Sequence, residues 1–164
     1  MEKQLNTVGS STYEKIKHDI IFGELAPGSK LKLDVIKTKY EASVSTLRET
    51  LNRLASEGFV LAEEQRGFFV TKVSKEDLTE VAKLRVLLEC HALKTSVENG
   101  DADWEGNLVA AHHKLQLMEK KMISGDSSEK ETWKRYDWEF HLAVIQACNS
   151  RNLLELHSTL YDKY

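Results

Sequence analysis

Three features of the 164-residue chain predict a mainly α protein built from two domains. Apolar residues recur at helical three- and four-residue spacing through most of it. The exception is a pair of short β-prone runs around residue 65, and the texture of the sequence changes at Val73/Ser74. Hydrophobic content of 41% and charged content of 30% fit a soluble globular chain and exclude a disordered one. No apolar run approaches the roughly 20 residues that cross a bilayer. MEKQLNTVGSSTYEK at the N-terminus has no apolar signal core. Cys90 and Cys148 lie far apart without CxxC spacing, so both are expected to be reduced, buried small residues of a cytoplasmic protein.

The first helix is predicted from Tyr13, Ile16 and Ile20, with Ser10, Ser11 and Thr12 as candidate N-caps. Gly23 and the Pro27–Gly28 pair stop it. A short amphipathic piece follows, with Val35, Ile36 and Tyr40 expected inward and Lys37 and Lys39 outward. EASVSTLRETLNRLASEGF then reads as a helix capped by Ser43 or Ser45, buried through Leu47, Leu51 and Leu54, and ended by Gly58. FVLAE and GFFVTKV flank Glu64, Gln65 and Arg66, which reads as a hairpin with a basic tip. Two short helices followed by such a hairpin give a winged helix-turn-helix outline for residues 1–73.

From Ser74 the pattern is helical throughout. SKED is a capping-box type start, and the helix it opens runs to about Asn99–Gly100 with Leu78, Val81, Leu88 and Ala92 on one face. Trp104, Leu108, Ala111, Leu115, Met118 and Met122 form the stripe of a second helix. His112 and His113 flank that stripe and read as surface or rim. Gly125 to Ser128 reads as a loop. A third helix carries Trp133, Asp137, Phe140 and Val144, and a fourth, after Asn149–Ser150, carries Leu153, Leu156 and Leu160. Residues 74–164 therefore predict an antiparallel helical bundle. Its apolar spacing is still running at Tyr164, so a bundle truncated at its C-terminus is the expectation.

Net charge is −3 overall, which by itself argues against nucleic acid. The halves differ, however: residues 1–73 hold 11 Lys+Arg against 10 Asp+Glu, net +1, and residues 74–164 hold 12 against 16, net −4. The basic surplus lies in the half whose outline could approach phosphate.

In the order and spacing of IIFGELAPGSKL, VSTLRETLNRLASEGFV and RGFFV, the chain resembles the GntR family of bacterial transcription regulators. LRVLLE and DWEFHLAVIQAC are similar to the all-helical FCD effector domain of its FadR-like branch. The resemblance covers nearly the whole chain. It implies a homodimeric regulator, a repressor or an activator, on a palindromic DNA operator, released when a small carboxylate effector occupies the helical domain. The polar start of the helix at Ser43 is the end that such a fold presents to base edges. Arg48 can grip a guanine edge in a bidentate way, or pair with Glu49. Ser43, Ser45 and Thr46 offer hydroxyls, and Gly67 and Arg66 stand at the hairpin tip, where a plain turn is the alternative. The chain departs from the family pattern at Val44, where many relatives carry Arg, and at Asp34. Either the operator differs, or Lys30, Lys32, Lys37 and Lys39 compensate.

Asp137 and His141, spaced i, i+4, project toward one spot. A buried unpaired carboxylate would cost several kcal/mol, so a partner is expected. A divalent ion between Asp oxygen and His nitrogen is one answer and a paired edge is the other. The resemblance favours a metal, zinc or nickel, whose remaining ligands this chain lacks. Arg85 shares a stripe with Leu78, Val81 and Leu88 and should point inward, toward Glu89, Asp137 or a ligand. The resemblance implies a small organic acid bridging metal and Arg85. Two rival functions stand beside this one. A metal-dependent enzyme would need a general base or an HExxH motif, and none appears. A protein-binding winged helix would lack steep salt dependence.

Overall fold

The turn between the second and third helices sets the geometry of the first unit. Glu41 adopts the left-handed region at φ 51° and stops α2 (Leu33–Tyr40). Ala42 is buried, and Ser43 starts α3 (Val44–Ser56) by accepting the amide of Thr46 at 3.1 Å. The computed structural model describes residues 8–125 and 128–163. It divides into a unit ending at Leu78 and a second unit, Thr79–Asp162.

In the first unit α1 (Val8–Ile21) packs on α3, and β1 (Lys30–Leu31), β2 (Val60–Glu63) and β3 (Gly67–Val70) form an antiparallel sheet in the order β1-β3-β2. The register pairs Val60 with Val70 and Glu63 with Gly67, leaving residues 64–66 as the tip. Tyr13 and Ile16 of α1, Ile36 and Tyr40 of α2, Leu47, Leu51 and Leu54 of α3, and Phe68 and Val70 of β3 share one core. Leu47, Leu51 and Leu54 are fully buried, as their spacing predicts.

Three expectations are corrected here. Ser10, Ser11 and Thr12 lie inside α1 and do not cap it, because Thr12 turns into the interior beside Tyr13. Val35 is 61% exposed, since Ile36 and Tyr40, four apart, already define the inner face of α2. Lys30–Leu31 form a third strand that a two-residue run could not announce.

The second unit holds α4 (Lys75–Asn99), α5 (Ala102–Ile123), α6 (Lys130–Ile145), a 3-10 turn (Gln146–Cys148) and α7 (Arg151–Tyr161). Ser74 accepts the Asp77 amide at 3.0 Å and donates its hydroxyl to the Asp77 carboxylate at 2.6 Å, a reciprocal cap. Ala111, Leu115 and Met118 of α5 are buried, flanked by half-buried Trp104, Leu108 and Met122. The Trp104 indole donates to the Ala143 carbonyl at 2.8 Å and ties α5 to α6. His112 and His113 are exposed, and Cys148 is buried, but Cys90 is exposed against expectation because it lies on the uncovered Val86–Leu93–Val97 face of α4. On α7 the expected apolar stripe is shifted: Leu156 is 48% exposed, while the neighbouring His157 is fully buried. The predicted loop at Asp126–Ser127 and the chain end at Tyr164 lie outside the described residues. No described helix is long and apolar enough to cross a membrane.

Candidate functional site

In the first unit the exposed N-terminal end of α3 gathers hydroxyls. Ser43 Oγ lies 2.8 Å from Ser45 Oγ and 2.9 Å from Thr46 Oγ1, a cluster that follows from the cap itself. Arg48 stands one turn on, exposed; among the described residues no carboxylate pairs with it, and Glu49 beside it does not. Lys37 on α2 is likewise exposed and without an ion-pair partner among the described residues. Three further bases have partners inside the unit. Lys39 binds Asp19 at 2.6 Å, Lys30 lies over the Phe69 ring, and Arg66 pairs with Glu63 while lying 5.6 Å from the Phe69 ring centre. Gly67, at φ 96°, has open space where a Cβ would stand, apart from Lys30 Cε at 3.9 Å. The backbone here can come close to a neighbouring molecule.

In the second unit Asp137 and His141 do converge, with His141 Nε2 3.7 Å from Asp137 Oδ1. Two further elements complete the cluster. From α4, Glu89 Oε1 lies 3.2 Å from His141 Nδ1 and 3.3 Å from Arg85 Nε. From α7, His157 Nε2 bonds the same Glu89 oxygen at 2.7 Å, and the Tyr161 hydroxyl donates to Asp137 Oδ2 at 2.5 Å. His157 is stacked on Trp138 with ring centres 5.5 Å apart, and its Nδ1 is buried without a hydrogen-bond partner. Arg85 therefore points inward and pairs with Glu89, one of the carboxylates open to it. The partner of Asp137 is Tyr161, a residue that sequence reasoning did not single out. Glu89 was weighed only as a mate for Arg85. His157 lies beside the apparent Leu153–Leu156–Leu160 stripe, so helical spacing does not announce it.

The electrostatics follow from this crowding. Burial pushes the Glu89 carboxyl up. Hydrogen bonds from His141 and His157, with the charges of His141 and Arg85, more than reverse that and hold it at about 2. Glu89 thus faces the Nδ1 edge of His141, while Asp137 faces Nε2. Burial pushes the Tyr161 phenol far above its ordinary value, and the hydrogen bond to Asp137 adds to this, so it stays a donor.

Two family models match this chain. One, described as bacterial regulatory proteins of the gntR family, matches residues 9–70, and the other, the FCD domain, matches residues 80–164. The chain is 38% identical over 151 residues to the uncharacterised HTH-type transcriptional regulator BphR of Paraburkholderia xenovorans, spanning 92% of this chain and 62% of that relative's length. It is 30% identical over 152 residues to the HTH-type transcriptional repressor GlaR of Escherichia coli, spanning 92% of this chain and 67% of GlaR. Among solved structures it is similar to E. coli McbR/YncC, with a TM-score of 0.74 at 25% identity over 97% of this chain and 72% of the other. A transcriptional regulator from Rhodococcus sp. RHA1 gives a TM-score of 0.71 at 26% identity, over 94% of this chain and 71% of that one.

Proposed function

The chain belongs to the GntR family of bacterial regulatory proteins and carries an FCD domain, and from that premise we propose that it is a ligand-responsive DNA-binding transcription regulator. It acts as a cytoplasmic homodimer on a palindromic operator, as a repressor released by a small organic acid in the helical domain. The observation that carries this reading is the start of α3. Its hydroxyl-rich end and a solvent-facing Arg48 with no internal partner form the kind of surface that reads a major groove. Ser43, Ser45 and Thr46 supply phosphate or base contacts, Lys37 a phosphate contact, and Arg66 with Gly67 the wing contact in the neighbouring groove. Arg66 must exchange Glu63 for phosphate to do so.

Asp137 and His141 fit two positions of a metal site. Their facing atoms are 3.7 Å apart, close to the separation of two ligands bonded at about 2.0–2.2 Å each. Glu89 behind His141 is the outer carboxylate that commonly orients a ligating imidazole. Among the described residues no group of three or more His, Cys, Asp or Glu is arranged to hold an ion, so a zinc or nickel ion would keep open positions. Such an ion would supply Lewis-acid attraction for an effector carboxylate beside Arg85. Exposed Val86, Leu87, Leu93 and Val97 on α4 supply an apolar surface for the homodimer.

The test is duplex DNA enriched from a randomised pool by the wild-type chain, followed by binding of the Arg48→Ala variant at several salt concentrations. We expect Arg48→Ala to lose at least tenfold in affinity with its circular dichroism unchanged, and wild-type binding to fall steeply with salt. Failure to enrich any duplex, or equal binding by the variant, overturns the reading.

A further inference from the structure

The first turn of α3 presents one side chain that its hydroxyl cluster does not account for. Ser43, Ser45 and Thr46 are drawn together, with Ser43 Oγ 2.8 Å from Ser45 Oγ, 2.9 Å from Thr46 Oγ1 and 3.1 Å from the Thr46 amide. Val44, the first residue of the helix, stands among them as a branched hydrocarbon that is 37% exposed. It lies outside the core that Leu47, Leu51 and Leu54 enter. Helix propensity does not favour it either, since a β-branched side chain loses rotamer freedom in a helix. Its side chain has neither donor nor acceptor, so it can hold no phosphate. Arg48 follows four residues on, which places the two side chains one above the other on a single face. Four residues rise about 6 Å along a helix, and base pairs succeed one another at about 3.4 Å along a duplex. Val44 and Arg48 therefore face positions within about two base pairs of each other when α3 lies in a groove.

We propose that Val44 reads the 5-methyl group of a thymine, so that each half-site of the operator carries a thymine close beside the guanine gripped by Arg48. The inference rests on the reading above of α3 as the helix that enters the major groove. In that groove thymine shows a methyl group beside one acceptor oxygen, cytosine shows an amino donor, and the purines show the N7 acceptor with a second polar group. An apolar side chain that excludes water from a polar base edge leaves that edge without a hydrogen bond, which costs binding. Against the thymine methyl the same side chain gains by apolar contact. Val44 thereby selects thymine twice, through the methyl it covers and through the polar edges it rejects. Arg48 reads by hydrogen bonds and Val44 by their absence, one turn apart on one helix.

The experiment takes the duplex enriched by the wild-type chain and replaces each thymine of one half-site in turn by uracil, which pairs identically and lacks only the 5-methyl group. At one of these thymines we expect wild type to lose about fourfold in affinity, the worth of one buried methyl group. That thymine should lie within about two base pairs of the guanine at which Arg48→Ala no longer discriminates. Val44→Ser should bind the thymine and uracil duplexes equally, and Val44→Ile should keep the preference. Val44→Ala takes the place of Val44→Ser if the latter melts at a lower temperature than wild type. Crossing side chain with base methyl in this way separates their contact from any change that uracil makes in the duplex itself. Equal binding of all the thymine and uracil duplexes by wild type overturns the role of Val44 and leaves α3 as the DNA-contacting helix. A half-site without thymine, or a preference that survives in Val44→Ser, does the same. Enrichment of no duplex overturns both the DNA reading and this inference.

Discussion

At the scale of single residues, one oxygen organises the second unit. Glu89 Oε1 is shared by Arg85 of its own helix, His141 of α6 and His157 of α7. That carboxylate is held well below its ordinary range and faces the Nδ1 edge of His141, the side away from Asp137. Replacing Glu89 by Gln removes the charge but nearly keeps the shape. Outer carboxylates of this kind commonly account for about 10–100-fold in metal affinity. We therefore expect Glu89→Gln to bind zinc about 10–100-fold more weakly in competition with a chromophoric chelator. Unchanged affinity would show that Asp137 and His141 orient themselves without it. None of this network could be read from spacing alone. Tyr161 reaches Asp137 across 24 residues and His157 reaches Glu89 across 68. What the sequence displays is the i, i+4 relation of Asp137 to His141 and the inward stripe of Arg85.

At the scale of elements, Asp19 near the end of α1 ties that helix to α2. This carboxylate takes Lys39 at 2.6 Å and the Tyr40 hydroxyl at 2.7 Å, both from the last turn of α2. Burial alone would raise its pKa, but the bonds from Lys39 and Tyr40 outweigh that, and the folded value lies below the ordinary 3.8. A lowered value means that the stabilisation is complete above 3.8 and fades as acid carries the protein through the folded value. Asp19→Asn should therefore cost on the order of 1 kcal/mol at pH 7. The gap to wild type in urea melts should close progressively below pH 3.8. A gap that persists unchanged in acid would remove Asp19 ionisation as the cause. This contact was invisible in the sequence, where Lys39 was counted among the bases free to meet phosphate. The helices themselves were legible because their apolar positions keep strict period, as in Leu47, Leu51 and Leu54 or Ala111, Leu115 and Met118. Periodicity failed on α7 for a physical reason. A buried histidine scores as polar, so the reading chose Leu156 and missed its neighbour His157, which has a partner to satisfy it.

At the scale of the molecule, α4 carries more apolar surface than its own unit covers. Val86, Leu93 and Val97 are 56%, 38% and 65% exposed, and with Cys90 they repeat at four, three and four residues, the spacing of a seam between helices. A homodimer joined here would be split by charge. Val86→Glu combined with Val97→Glu should sediment as a monomer and bind a two-half-site duplex at least tenfold more weakly than wild type, because the linkage of the half-sites is lost. A wild-type chain that sediments as a monomer at every concentration would overturn that assembly. The two units also face inheritance differently. Val44 and Arg48 in the first unit are exposed, so on the proposed reading of α3 as the DNA-contacting helix their replacement would alter operator preference at little cost to the fold. Glu89, His157 and Tyr161 in the second unit are bonded into the cluster proposed as the effector site and also join its helices. A lineage can therefore move to a new operator in small steps, whereas a new effector chemistry demands several coordinated replacements.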